Sequence, residues 1–260
     1  MEETANDSQI KSEKKMMPLL LLTLLVSIAP LYAELNGDLA LQNPDLFEGD
    51  ILGIDPITDR NAIPRDSQRW PSGRVPYQID PYTTYGKFKQ KEMIKKAMAE
   101  YEDKTCIRFV EKDEDEKDFI LIFAGRGCYS KVGKTGGVQA LSFGNGCFQH
   151  PTLVHELGHA LGFYHEHTRS DRDDYITIHW SAIMNTAKDQ FYKLSPAENR
   201  ILDTFDYDSI MLYGERTFSK DGWTKTMTAK EKGVKLLDVY DKKGLSESDI
   251  KRVKKLYECS

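Results

Sequence analysis

The chain has 260 residues and a formal net charge of −5, with 36 Lys and Arg against 41 Asp and Glu. This mildly acidic balance argues against a protein that binds the phosphate backbone of nucleic acids. Hydrophobic residues make up 40% of the sequence, enough for a real core, which excludes global disorder.

The first pattern along the chain is that of a secretory signal peptide. Lys11, Lys14 and Lys15 precede an apolar stretch that ends in a small residue, Ala33. The apolar part covers about 14 residues, short of the roughly 20 that span a bilayer. We predict a signal peptide over residues 1–33 and a secreted protein, with a signal anchor or a buried helix as the alternative reading. In a secreted protein the four cysteines are expected to be paired, in one of three connectivities.

Hydrophobic periodicity then predicts a mixture of strands and helices. Strands are expected over residues 74–80, 107–110, 119–123 and 137–143, and helices around residues 93–101 and 153–161. The charged residues 111–117 are expected to form a hairpin loop between two strands. Residues 162–244 look mostly irregular, and Ser246 with Asp249 predicts a capping box that begins a final helix.

The most informative segment contains three histidines and a glutamate. His155 and His159 are four residues apart, so a helix places both imidazoles on one face, as two ligands of one Zn²⁺ ion. Glu156 lies beside them, where it can act on a water without binding the metal. Gly162 can adopt a positive φ and end the helix, so the chain can turn back and deliver His165 as a third ligand. Three imidazoles with one open position are the arrangement of a catalytic zinc site.

Four motifs in this sequence resemble those of the astacin family of metzincin zinc endopeptidases. The zinc segment HELGHALGFYHEHTRSDRDDY occupies residues 155–175, and DYDSIMLY at residues 206–213 resembles the family's Met-turn. FEGDI at residues 47–51 resembles its propeptide switch, and residues 61–77 resemble the start of a mature domain.

The resemblance implies an α+β metzincin fold in which two subdomains flank an active-site cleft. A twisted sheet and the zinc helix would form the N-terminal half, and a mostly irregular C-terminal half would end in a helix. The chain would divide into a signal peptide (1–33), an activation propeptide (34–60) and a protease domain (61–260). The protease would be a monomer that binds one Zn²⁺ ion and cleaves proteins and peptides, with no nucleic acid or membrane partner.

The resemblance also assigns roles to residues of the active site. His155, His159 and His165 would bind zinc, with Glu156 as the catalytic base. Tyr213 would be a second catalytic residue, an extra zinc ligand that swings away and donates a hydrogen bond to the oxyanion. Met211 would form an apolar floor under the metal. Many astacins have His where this chain has Leu212, a position that is not a ligand.

Latency is implied by the same resemblance. Asp50 would bind the metal in the zymogen and displace the catalytic water. An activating protease would cut after Arg60, and the new amino group of Asn61 would be buried against Glu166, the acidic residue after the third histidine. Read alone, Gly49 and Asp50 would be a turn.

Two disulfides follow from the family pattern, Cys106–Cys259 and Cys128–Cys147. The edge on which an extended peptide binds is expected near residues 128–132. Two other functions compete with the protease. One is an inactive secreted binding protein that keeps the fold, and the other is a structural matrix or zinc-storage protein. The intact Glu156 and Tyr213 favour the active enzyme, and the sequence lacks the repeats or Cys/His-rich tract of a storage protein.

Overall fold

The structure of the protein is a computed structural model that describes residues 39–53, 66–84, 88–197 and 199–260. The predicted signal peptide, Arg60 and Asn61 lie outside the described residues. None of the helices formed by the described residues has the length and apolar character needed to cross a bilayer.

A mixed five-stranded sheet supports the zinc segment. Its strands are β1 (Arg74–Ile79), β2 (Arg108–Glu111), β3 (Phe119–Phe123), β4 (Cys128–Ser130) and β5 (Val138–Phe143). Their spatial order is β2-β1-β3-β5-β4, with β4 antiparallel to β5 and the other pairs parallel. The four strands predicted from periodicity are confirmed to within one residue at each end. The short edge strand β4 is not among the strands predicted from periodicity, but it lies within residues 128–132, where an exposed edge is expected.

The hairpin predicted across residues 111–117 is wrong. β2 and β3 do not pair with each other, because β1 lies between them and pairs in parallel with both. The charged segment after β2 is therefore a crossover loop. Alternation of apolar residues identifies a strand, but it does not identify the partner of that strand.

Three helices of more than two turns lie within the part of the chain that the structure describes. They are α1 (Phe88–Lys104), α2 (His150–Ala160) and α3 (Glu247–Leu256), and a single helical turn covers Pro81–Thr84. The apolar face of α1 packs against α2, and the Tyr101 hydroxyl donates a hydrogen bond of 2.9 Å to the Val154 carbonyl. The predicted capping box at the start of α3 is confirmed, since the Ser246 hydroxyl and the Asp249 carboxylate each accept from the other's backbone N–H.

The C-terminal half is mostly irregular, as predicted. Within the described residues after α2, regular strands are limited to the antiparallel pair β6 (Ile176–Ile178) and β7 (Met227–Ala229). Short 3-10 turns and loops form the remainder. Two disulfides, Cys106–Cys259 and Cys128–Cys147, are present with the connectivity that the family resemblance implies. The first joins the end of α3 to the start of β2.

Candidate metal centre and active site

Helix α2 carries the first two histidines into the interior. Every residue from 151 to 160 is buried. Gly158 allows this helix to approach the Met-turn, because a Cβ at that position would lie 2.7 Å from the sulfur of Met211. Gly162 has a φ of +111° and its N–H bonds the His159 carbonyl, so the helix ends there and the chain turns towards His165.

Each of the three imidazoles is oriented by a hydrogen bond that its Nδ1–H donates. Nδ1 of His155 donates to the Ile210 carbonyl, and Nδ1 of His159 donates to the Phe163 carbonyl, each at 2.7 Å. Nδ1 of His165 donates to the Glu48 carboxylate, also at 2.7 Å. An imidazole that donates from Nδ1 presents a lone pair at Nε2.

The three Nε2 atoms and the Asp50 carboxylate converge on one point, with all four ligand atoms within 4.8 Å of one another. Nε2 of His155 lies 3.1 Å from Nε2 of His159 and 3.2 Å from that of His165. Ligands about 2.05 Å from a tetrahedral zinc ion are separated by about 3.3 Å. Mutually facing lone pairs at this spacing fit a bound cation, and the donor set of imidazoles and a carboxylate suits Zn²⁺.

Asp50 reaches the centre because the segment 39–53 lies in the cleft. Gly49 has a φ of +98°, and a Cβ there would lie 2.7 Å from the Leu41 carbonyl oxygen, so only glycine fits. Asp50 Oδ2 lies 3.1 Å from Nε2 of His155, and its Oδ1 lies 3.2 Å from that of His159. Burial alone would raise the pKa of Asp50, but the neighbouring histidines lower it well below its usual value.

The same segment pairs with the edge of the sheet at β4. Ile51 forms a parallel bridge with Ser130, in which the Ser130 N–H donates to the Asp50 carbonyl at 3.0 Å and the Leu52 N–H donates to the Ser130 carbonyl at 2.8 Å. This edge lies within residues 128–132, where the sequence predicts peptide binding.

Glu156 is fully buried beside the two histidines of α2. Neither of its carboxylate oxygens has a hydrogen-bond partner within the part of the chain that the structure describes. Burial, together with the negative charge of Asp50, raises the pKa of Glu156 well above its usual value. A buried carboxylate without a protein partner is available to a water or a substrate group.

The Met-turn places Tyr213 against the metal centre. The Tyr213 hydroxyl donates a hydrogen bond of 2.6 Å to Asp50 Oδ2, and its ring lies 4.2 Å from the His165 ring, centroid to centroid. Burial, followed by the charge of Asp50, raises the pKa of Tyr213 well above its usual value, so its hydroxyl remains a donor. The His167 ring stacks on the same tyrosine at 5.2 Å between centroids and lies 5.3 Å from the His165 ring.

Glu166, the residue after the third histidine, has two cationic partners. Arg252 of α3 binds it in a bidentate manner with two contacts of 2.7 Å, and Arg169 donates to it at 3.0 Å. The Asp206 N–H donates to it as well, at 2.9 Å. Glu166 therefore links the zinc segment, the Met-turn and the final helix.

Sequence reasoning missed several groups that the fold brings to this centre, namely Glu48, Asp249 as a Met-turn partner, Lys242 and Arg252. Glu48 lies inside the FEGDI motif, so the motif itself was a signal that a second carboxylate accompanies Asp50. Lys242, Asp249 and Arg252 offered no comparable signal, because their partners lie 30 or more residues away in sequence.

A family model described as "Astacin", a family of peptidases, matches residues 62–258. The chain belongs to the astacin family. It is 45% identical over 229 residues to Astacin-like metalloprotease toxin 1 of Loxosceles intermedia, covering 86% of this chain and 85% of the relative. It is 42% identical over 232 residues to zinc metalloproteinase nas-4 of Caenorhabditis elegans, covering 88% of this chain and 69% of the relative.

A solved astacin structure has the same fold. High choriolytic enzyme 1, a hatching enzyme zinc-protease from Oryzias latipes, superposes with a TM-score of 0.66 at 37% identity, covering 74% of this chain and 94% of that one. The metzincin fold, zinc as cofactor and the class of zinc metalloendopeptidase are therefore assigned to this chain. Its substrates are peptides and proteins, as expected for an astacin.

Proposed function

We propose that this astacin is secreted as an inactive zymogen, with residues 1–33 as signal peptide, 34–60 as propeptide and 61–260 as the protease domain. The observation that carries the proposal is the Asp50 carboxylate, which occupies the position among three imidazoles that a catalytic zinc site leaves open. His155, His159 and His165 hold the metal in the active form, and Asp50 joins them in the zymogen only.

Substrate binding follows from the path of the propeptide. The Ser130 N–H and carbonyl, which now bond residues 50 and 52, become free when the propeptide leaves. An extended peptide can then add to the β4 edge through backbone hydrogen bonds. This contact holds the scissile bond beside the metal centre.

The catalytic roles belong to Glu156 and Tyr213. Zinc, when bound, polarises the scissile carbonyl and makes water a better nucleophile at neutral pH. Glu156 accepts a proton from the attacking water and passes it to the leaving amine. The Tyr213 hydroxyl, released from Asp50, donates to the carbonyl oxygen as negative charge develops there. Such a donor is typically worth about 3 kcal/mol of transition-state stabilisation.

Activation is proposed to occur by cleavage after Arg60, which frees the amino group of Asn61. A cavity of about 60 Å³ borders Glu166, Arg252 and Arg200. The Arg200 guanidinium lies 3.5 Å from Asp66, so the first described residue after the proposed cleavage site lies beside a residue that lines this cavity. We also propose that the enzyme acts as a monomer, since a single chain brings three histidines and a carboxylate to one metal centre.

The experiment is a protein-cleavage assay on the purified chain before and after proteolytic trimming at Arg60, with and without a zinc chelator. We expect negligible activity before trimming, strong activity after it, and loss of that activity with the chelator. The Asp50→Ala variant is expected to cleave substrate before trimming. A trimmed protein that binds one zinc ion but cleaves nothing would support the inactive binding protein instead, and an inert untrimmed Asp50→Ala protein would contradict the proposed switch.

A further inference from the structure

The backbone of the Met-turn is held by a buried lysine from outside the active site. The Lys242 ammonium donates to the Ser209 carbonyl and, at 2.5 Å, to the Leu212 carbonyl. Lys242 is only 8% exposed, and burial lowers its pKa to about 8, although the charges of Asp249 and Asp206 act in the other direction. A buried ammonium is unfavourable unless it satisfies groups that need a donor.

A buried carboxylate holds the same turn from the N–H side. Asp249 Oδ1 accepts from the Ser209 hydroxyl at 2.7 Å, and its Oδ2 accepts from the Ile210 N–H at 2.8 Å. Asp249 also belongs to the capping box of α3, so its position is fixed by the helix. Lys242 thus binds the carbonyl groups of Ser209 and Leu212, and Asp249 binds the Ser209 hydroxyl and the N–H group that follows it.

The turn transmits this restraint to a metal ligand. The carbonyl of Ile210, whose own N–H is bound by Asp249, accepts the Nδ1–H of His155 at 2.7 Å. The position of that carbonyl therefore determines where Nε2 of His155 points. Partners of this kind typically change metal affinity or activity about 10- to 100-fold when removed.

We propose that Lys242 and Asp249 act as a clamp on residues 209–212, which positions the Ile210 carbonyl and through it the zinc ligand His155. The inference rests on the proposed role of His155 in zinc binding. Lys242 and Asp249 are positioning residues, since neither touches the metal centre. Without Lys242, the Ser209 carbonyl keeps the Leu212 N–H at 3.0 Å, but the buried Leu212 carbonyl loses its donor, and the turn must shift to find another.

The test compares Lys242→Met, Lys242→Arg and the matched control Lys243→Met, which alters the exposed neighbouring lysine. In the trimmed enzyme, Lys242→Met is expected to lose zinc to a chelator about 10-fold faster than the parent and to lower kcat more than it raises KM. Lys242→Arg keeps a cationic donor and should stay within about 3-fold of the parent. Lys243→Met should match the parent.

A Lys242→Met protein that unfolds more easily but keeps the zinc-loss rate and kcat of the parent would overturn the proposal. If Lys242→Met does not fold, Asp249→Asn is tested in its place. One acceptor oxygen of the carboxylate becomes an amide donor, which then faces the Ser209 hydroxyl or the Ile210 N–H. Faster zinc loss is again expected, and an unchanged rate overturns the clamp. The zinc content of the parent enzyme is measured in the same experiment. A parent without bound zinc would contradict the proposed function, whatever the variants show, and this outcome differs from a failure of the clamp alone.

Discussion

At the scale of single residues, Glu156 combines complete burial with the absence of any protein partner among the described residues. A structural carboxylate in such a position would have a hydrogen bond or a cation, as Glu166 has with Arg252. The catalytic role proposed for Glu156 accounts for this unpaired burial, because it needs a free acceptor next to the metal centre.

The Glu156→Gln variant is expected to lower kcat/KM of the trimmed enzyme by about 10³-fold, because the amide cannot accept the proton. Zinc content and thermal stability should remain those of the parent, since the two side chains have the same shape. Glu215→Gln is a matched control, as Glu215 is a buried carboxylate that is paired with Lys225 and Arg216. Full turnover by Glu156→Gln would remove it as the base.

The residues of the zinc centre differ in how far sequence alone could identify them. His155, Glu156 and His159 lie within one helical turn and a half, so their spacing defines their geometry. Glu48 and Lys242 contact groups 117 and 30 residues away, respectively. No local periodicity encodes such contacts, and they appear only when the chain is folded.

At the scale of elements, helix α3 matters for more than its apolar stripe. It supplies Asp249 to the Met-turn and Arg252 to Glu166, and the Cys106–Cys259 disulfide attaches its end to the sheet. The order of the strands could not be predicted, because each alternating pattern is compatible with several partners. The start and the apolar face of α3 could be predicted, since the capping box and its stripe are local signals.

Removing the Cys106–Cys259 bridge by a double alanine substitution is expected to lower the free energy of unfolding by about 5 kcal/mol in the chain-entropy model. The bridged residues are 153 apart, whereas those of Cys128–Cys147 are 19 apart, for which the same model gives about 3 kcal/mol. Denaturant unfolding of both double variants measures the difference. A larger loss for the shorter loop would show that local contacts outweigh loop closure.

At the scale of the whole molecule, the segment 39–53 brings the Asp50 carboxylate to the metal centre and, through Glu48, accepts the Nδ1–H of His165. In the proposed zymogen, Asp50 is a fourth metal ligand. The untrimmed protein should therefore release zinc to a chelator at least about 10-fold more slowly than the trimmed enzyme. Glu48→Gln should bring the untrimmed rate part of the way to the trimmed one, as it weakens the contact with His165. Equal rates before and after trimming would contradict a metal-bound propeptide.

The attachment of residues 39–53 to the β4 edge has a consequence for the reversibility of activation. While the segment is part of the same chain, it competes for the cleft at an effective concentration that a free substrate does not normally reach. Once it is cut, it competes only at its bulk concentration, which falls with every dilution. Under the proposed activation, dilution of the cut segment alone would make the change one-way, without destruction of the inhibitor.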